Sequence, residues 1–251
     1  MSTSQIKQSI RALFRLLDIE LSRYRPQTDK WLAQKKLLYG TPTPVIFDVG
    51  ANIGQTLEAY MDIFPDGEIH CFEPFPDSFC ALQQAAARHP HAHVYPLAIS
   101  DSIGDRTFYV NTTYHATNSL LPRPTSGMRY YPEGARLDEM INVRSDTLDA
   151  FVQRSRIARI DILKMDIQGG ELSALRGASQ LLDNQTIRLI MTEIMFVPHY
   201  EGGALFHEIN DLLLGKGYSL FGIYDLHYAE NGQLRFADAI YINGDMRYAL
   251  K

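Results

Sequence analysis

Cysteine is nearly absent from this 251-residue chain, which has two, Cys71 and Cys80, nine positions apart and without a histidine pair at zinc-ligand spacing. That excludes a disulfide framework and a structural zinc site, and it fits a reducing compartment. No stretch reaches eighteen uncharged apolar residues, and the N-terminus lacks the basic, apolar and small-residue succession of a secretory signal. The expectation is a soluble cytoplasmic protein. Positive charge is also in short supply: 24 Lys and Arg stand against 29 Asp and Glu, a net charge of −5, so nucleic acid is not expected as a partner. What remains is an ordinary globular composition, 45% hydrophobic and 21% charged, with length for one large domain.

The charge is unevenly spread. Residues 1–40 hold eight basic and three acidic side chains, which leaves the remaining 211 residues at net −10. Within the first forty, Ile6, Ile10, Leu13, Leu17 and Leu21 recur at helical spacing among Lys7, Arg11, Arg15 and Arg23, an amphipathic helix. Two uses stand open for residues 1–25: covering a core or dimer interface, or lying on an anionic membrane or acidic partner. Residues 1–40 therefore read as an extension and 41–251 as the domain.

From Pro44 onward, short apolar runs alternate with helix-length segments, the signature of an α/β fold with a doubly wound, mostly parallel sheet. Strands are predicted at 45–49, 68–73, 94–99, 161–166, 187–193, 218–224 and 239–243, and helices at 55–64, 78–88, 171–182 and 205–216. Residues 112–140, rich in Pro, Gly and Tyr, break the alternation and read as a lid over a site.

In such a sheet, ligands bind beyond the carboxyl ends of the strands. The first strand ends in DVGANIG, residues 48–54, whose G-x-x-x-G spacing is not the G-x-G-x-x-G of a dinucleotide site. Glu73 ends the second strand, where a carboxylate accepts hydrogen bonds from two ribose hydroxyls. Asp48 adds negative charge that repels a pyrophosphate and suits a ligand bearing an ammonium and a sulfonium, as S-adenosylmethionine does. Asp166, at the end of LKMDIQGGE (163–171), is expected to face the same crevice, while Glu171 reads as a helix-start charge. Glu193, His199 and Tyr200 bring titratable groups to the reacting side.

These blocks, in this order, resemble the FkbM-type S-adenosylmethionine-dependent methyltransferases: DVGANIG, FEP at 72–74, AISD at 98–101 with Gly104, DTLDAF at 146–151, and LKMDIQGGE, which the family usually writes with Glu where this chain has Gln168. The resemblance spans 45–243. It implies a Rossmann-like class I methyltransferase, a seven-stranded sheet with helices on both faces and the last strand antiparallel. It implies Gly50, Asn52 and Gly54 at the methionine part of the cofactor, Glu73 at the ribose, Ala98 and Ile99 at the adenine, and Asp166 near the amino group and the transferable methyl. It also implies O-methylation of a sugar, nucleotide sugar, glycan or related natural product.

For the general base the order of choice is His199, Glu193, Asp166. Asp166 and Glu193 are alternatively ligands for Mg²⁺. Arg123, Arg129, Arg136, Tyr130 and Tyr131 of the lid, with Tyr200 and His227, are the acceptor-binding candidates. A nicotinamide-dependent oxidoreductase and a catalytically silent cofactor-binding module remain the alternatives, and a homo-oligomer is compatible with the sequence.

Overall fold

Apolar strands buried on both faces dictate the architecture of the computed structural model, which describes residues 29–111, 115–123 and 138–249. The strands are β1 (Val45–Val49), β2 (Glu68–Phe72), β3 (Ala92–Tyr95), β4 (Ala98–Ile99), β5 (Gly104–Asn111), β6 (Asp138–Asp146), β7 (Ile160–Met165), β8 (Ile187–Met195), β9 (Ser219–Tyr228) and β10 (Leu234–Ile242). Seven of them form one sheet in the order β3-β2-β1-β7-β8-β10-β9. The sheet is parallel except for β10, the last strand in sequence, which is antiparallel to β8 and β9. This is the class I methyltransferase arrangement: the order inverts beside β1, which opens a crevice at the strand ends.

Alternation along each strand assigns side chains to two cores. Phe47, Val49, Phe72, Leu163 and Ile190 face the helices Leu148–Ser155, Glu171–Arg176, Ser179–Asp183 and Phe206–Gly215. Ile46, Ile69, Cys71, Ile162 and Leu189 face the helices Lys30–Leu37, Gln55–Ile63 and Pro76–Ala86. Each fully buried side chain of this kind contributes roughly 1.5–3 kcal/mol, so the two layers hold the strand ends, and with them the site, in fixed positions.

Three differences from the sequence expectation have physical causes. The run 94–99 is split, because Pro96 has no N–H for the ladder; β3 ends at Tyr95, and β4 joins β5 and β6 in a second, three-stranded sheet. The helix expected at 171–182 breaks at Gly177, where an added Cβ would lie 2.1 Å from the Ser100 carbonyl oxygen. The helix Lys30–Leu37 belongs to the domain core: Asp29 caps it through Trp31 and Leu32 N–H, and buried Gln34 accepts from the Tyr60 hydroxyl at 3.0 Å. Packing thus begins well before residue 41. The amphipathic helix expected in residues 1–25 lies outside the described residues. Among those described, Cys71 and Cys80 are free thiols, and no helix is long and apolar enough to cross a membrane.

Candidate active site

Beyond the carboxyl ends of β1, β2 and β7 lies a cavity. Gly50, Glu73, Asp166 and Gln168 line its polar side, and Phe72, Ala98, Ile99 and Phe108 line its apolar side. Of the expected lid, residues 138–140 are the start of β6, and residues 115–123 form a further wall through His115, Asn118 and Leu120. That strap is pinned by backbone hydrogen bonds between Tyr109 and Ser119, and by the Ser119 hydroxyl, which donates to the Gln168 carbonyl at 2.8 Å.

Gly50 has φ +79°, and an added Cβ would sit 2.0 Å from the Asp166 carbonyl oxygen. Only glycine lets the ends of β1 and β7 approach this closely. Glu73 is held from both sides, Oε2 accepting from Asn52 N–H at 2.9 Å and Oε1 from Phe75 N–H at 2.8 Å. Burial pushes its pKa up to about 7, against these hydrogen bonds and the pull of Lys164. Each oxygen still has an acceptor direction left for a hydroxyl in the cavity.

A second cavity is lined by Lys30, Asp166, Glu193, Asp225, His227 and Asp238. Asp166 belongs to both walls. Glu193 and Asp238 are cross-strand partners on β8 and β10. Lys30 pairs with Asp225 at 2.8 Å and, more closely, with Asp238. Burial opposes its charge, but the two aspartates hold its pKa above the ordinary lysine value. The Glu193 carboxyl lies well above the usual range, first through burial and then through Asp166, Glu171 and Asp238. The His227 ring stacks on Phe236 with centroids 4.3 Å apart.

Of the residues expected at the cofactor, Gly50, Glu73, Ala98, Ile99 and Asp166 line the first cavity, whereas Asp48, Asn52 and Gly54 do not. Asp48 requires a correction. Strand alternation puts it on the face of Ile46 and Cys71, fully buried, where it forms an ion pair with Lys164 at 2.9 Å. Lys164 also donates to the Gly50 carbonyl at 3.1 Å, and the Asp48 and Asp166 charges outweigh burial to raise its pKa. Asp48 therefore braces the turn from beneath. Asn52, at φ +48°, turns its side chain to Ser78, and Gly54, at φ +98°, starts the helix Gln55–Ile63 against Ala85.

His199, the first choice for a base, is also corrected. It is buried away from both cavities, with Nδ1 on the Val197 carbonyl at 2.9 Å and Nε2 accepting from Arg235 at 3.0 Å, which occupies the lone pair a base needs. Burial lowers its pKa, and Arg235 adds to that shift. Tyr200 is buried too, and its hydroxyl donates to Gln168 Oε1 at 2.7 Å, so it touches the site through Gln168. Arg123 braces the strap through the Thr117 carbonyl at 2.9 Å. Arg129, Arg136, Tyr130 and Tyr131 lie outside the described residues, and His227 does line the second cavity. The Mg²⁺ expectation finds no support: among the described residues no group of three or more acidic, histidine or cysteine side chains is arranged to hold a metal, and the Gln168 amide stands between Asp166 and Glu193.

Lys30, Asp225 and Asp238 were not anticipated. They lie far apart in sequence, and only the insertion of β10 between β8 and β9 brings them beside Glu193.

The cavity sets the carboxylates of Glu73 and Asp166 beside apolar residues such as Phe72, Ala98, Ile99 and Phe108, a lining compatible with S-adenosylmethionine. The profile of the Methyltransferase FkbM domain matches residues 48–220. The chain is 28% identical over 178 residues to the 2-O-methyltransferase NoeI of Sinorhizobium fredii, covering 68% of this chain and 72% of that one. It is 34% identical over 200 residues to the 31-O-demethyl-FK506 methyltransferase FkbM of Streptomyces tacrolimicus, covering 71% and 74%. Among solved structures, Aeropyrum pernix fibrillarin with natively bound S-adenosyl-L-methionine aligns with a TM-score of 0.42 at 13% identity, over 93% of this chain and 74% of that one. The family match spans more than half the sequence and removes the nicotinamide alternative: the chain belongs to the FkbM-domain methyltransferases.

Proposed function

We propose that the protein transfers a methyl group from S-adenosylmethionine to a hydroxyl oxygen of an uncharged, hydroxyl-rich acceptor, a sugar or glycan, seated in the second cavity. The observation that carries this reading is the shared wall: Asp166 lines both cavities, with Glu193 beside it facing the acceptor side.

In this reading Glu73 takes the ribose hydroxyls, Ala98 and Ile99 the adenine, and Asp166 the amino group. The bound cofactor supplies an electrophilic methyl carried on a good sulfonium leaving group. The work left to the protein is positioning, worth roughly 7–11 kcal/mol, and removal of the hydroxyl proton, worth about 10²- to 10⁴-fold. Glu193 receives that proton. Burial and the neighbouring carboxylates raise its pKa, so its ionised form is a stronger base than an ordinary carboxylate.

The lining argues for the class of acceptor. Four carboxylates face one ammonium among the described lining residues, so a phosphate or carboxylate inside the cavity would meet like charge, about 3 kcal/mol per pair at 6 Å with an effective dielectric of about 20. Hydroxyls, in contrast, donate to carboxylates, and the His227–Phe236 stack offers a flat apolar surface to a pyranose ring. The names of the relatives NoeI and FkbM, both of O-methyl chemistry, agree with oxygen as the target.

The test is transfer of labelled methyl to a panel of neutral sugars and glycans, with the product resolved as a methyl ether. Glu193→Gln should lower kcat about 10²- to 10⁴-fold and spare S-adenosylhomocysteine binding. A methyl ester or N-methyl product, or full activity in Glu193→Gln, overturns the reading.

A further inference from the structure

The gap between Asp166 and Glu193 is spanned by one side chain. Gln168 Nε2 donates to Asp166 Oδ1 at 2.8 Å and to Glu193 Oε2 at 3.1 Å, one hydrogen to each carboxylate. Behind the amide, its Oε1 is the nearer of two acceptors for the single Tyr200 hydroxyl hydrogen, at 2.7 Å against 3.0 Å for the Thr117 carbonyl. A flipped amide would point that oxygen at two anions. Tyr200 is 2% exposed, so this lock is built into the core.

The backbone enforces the same placement. Gln168 has φ +57°, a conformation an L residue takes only where its surroundings impose it, and Gly169 follows at φ +94°. Ser119 fastens the Gln168 carbonyl, and Ile167 N–H donates to Glu171 Oε1 at 2.9 Å on the other side of the turn.

Two carboxylates this close repel unless something joins them. Three devices exist: a shared proton, a divalent cation, or a neutral group with two hydrogens to give. The first alters the charge of the pair, and the second draws on oxygen lone pairs that a substrate hydroxyl would use. An amide leaves the charge unchanged and takes one lone pair from a single oxygen of each carboxylate, so each keeps its other oxygen for a ligand.

We propose that the Gln168 side-chain amide is the uncharged bridge joining Asp166 to Glu193 in place of a divalent cation, and that it fixes both carboxylates where the cofactor cavity meets the acceptor cavity. Gln168 is thus a positioning residue, acting through Asp166 and Glu193. Its catalytic consequence rests on the methyl-transfer reading above; the bridge itself does not, since ion binding is measured without an acceptor.

The experiment is a titration of the full-length protein and its Gln168→Glu, Gln168→Leu and Tyr200→Phe variants with Mn²⁺, read by loss of the free-ion paramagnetic resonance signal, alongside transfer assays with and without EDTA. Wild type should take up no Mn²⁺ and be indifferent to EDTA. Gln168→Glu, with a third carboxylate in place of the donor, should bind an equivalent of Mn²⁺, melt higher in its presence and regain transfer when it is added. Gln168→Leu should lose about ten- to hundredfold in kcat and recover nothing with Mn²⁺. Tyr200→Phe, which frees the amide to flip, should lose kcat in the same direction but less. Stoichiometric Mn²⁺ uptake by wild type, inactivation by EDTA, a Gln168→Glu protein that folds yet binds no ion, or wild-type kcat in Gln168→Leu would each overturn the proposal. Should Gln168→Glu fail to fold, the wild-type titration and Tyr200→Phe still decide. If no acceptor is methylated by any form, the Mn²⁺ arms still test the bridge, and the failure belongs to the proposed function.

Discussion

Acidification should release the cofactor before it threatens the fold, and Glu73 is the reason. Its carboxyl is 7% exposed, and burial lifts its pKa from 4.5 to about 7. At that value it is ionised to about one part in ten at pH 6 and nine in ten at pH 8. Ribose hydroxyls need the ionised form, because both oxygens already accept backbone N–H groups from Asn52 and Phe75, and a protonated oxygen presents a donor to donors. Affinity for S-adenosylhomocysteine should therefore fall about tenfold from pH 8 to pH 6. Stability moves the other way. The folded state holds this proton more tightly than the unfolded chain, so the Glu73 contribution is full below about pH 4.5 and is lost as the pH rises to about 7, a change of at most about 3 kcal/mol. Calorimetric titration from pH 6 to 8.5 reads the first trend, and urea denaturation at intervals from pH 4.5 to 8.5 reads the second. Glu73→Gln should bind about ten- to hundredfold more weakly and show a flat profile. A pH-independent wild-type affinity, or a Glu73→Gln protein that keeps the slope, would refute the reasoning.

Other outcomes follow from the same contacts. Lys164→Met strands the Asp48 carboxylate in the core and should cost about 3–5 kcal/mol in urea denaturation, with Asp48→Asn/Lys164→Met regaining part of it; a loss under about 1 kcal/mol would contradict the buried pair. Glu193→Gln should lower kcat by about 10²- to 10⁴-fold in the transfer assay, with S-adenosylhomocysteine affinity within about threefold of wild type. His199→Ala should keep wild-type turnover in steady-state kinetics while losing about 1–3 kcal/mol of stability through the severed Val197 and Arg235 contacts. Of two sugars alike except for a carboxylate, the neutral one should be used at least about tenfold better in kcat/KM, since the acceptor cavity is acidic.

Local sequence carried the strand ends well and the faces of strands poorly. Glu73 and Asp166 are legible because each is the last polar group after an apolar run, and the chain has nowhere to put it except the crevice. Asp48 looks equivalent but lies two positions earlier, inside β1 and level with Cys71 and Lys164, where it is enclosed by the sheet and pairs with Lys164. His199 is near Glu193 in sequence, but the turn after β8 carries it back into the core and onto Arg235. The second cavity was the least legible part. Lys30 and Asp238 meet across 208 residues through the antiparallel insertion of β10, and no local pattern reports a pairing at that distance. Gln168 was visible as a departure from the family's usual residue; its two carboxylate partners and its tyrosine lock were not.

A crystal structure with S-adenosylhomocysteine bears most directly on the two-cavity arrangement. The account predicts adenine against Ala98 and Ile99, ribose hydroxyls on Glu73, and the sulfur directed past Asp166 toward Glu193 and the acidic cavity. A ligand bound elsewhere, or a sulfur facing away from Glu193, would contradict it.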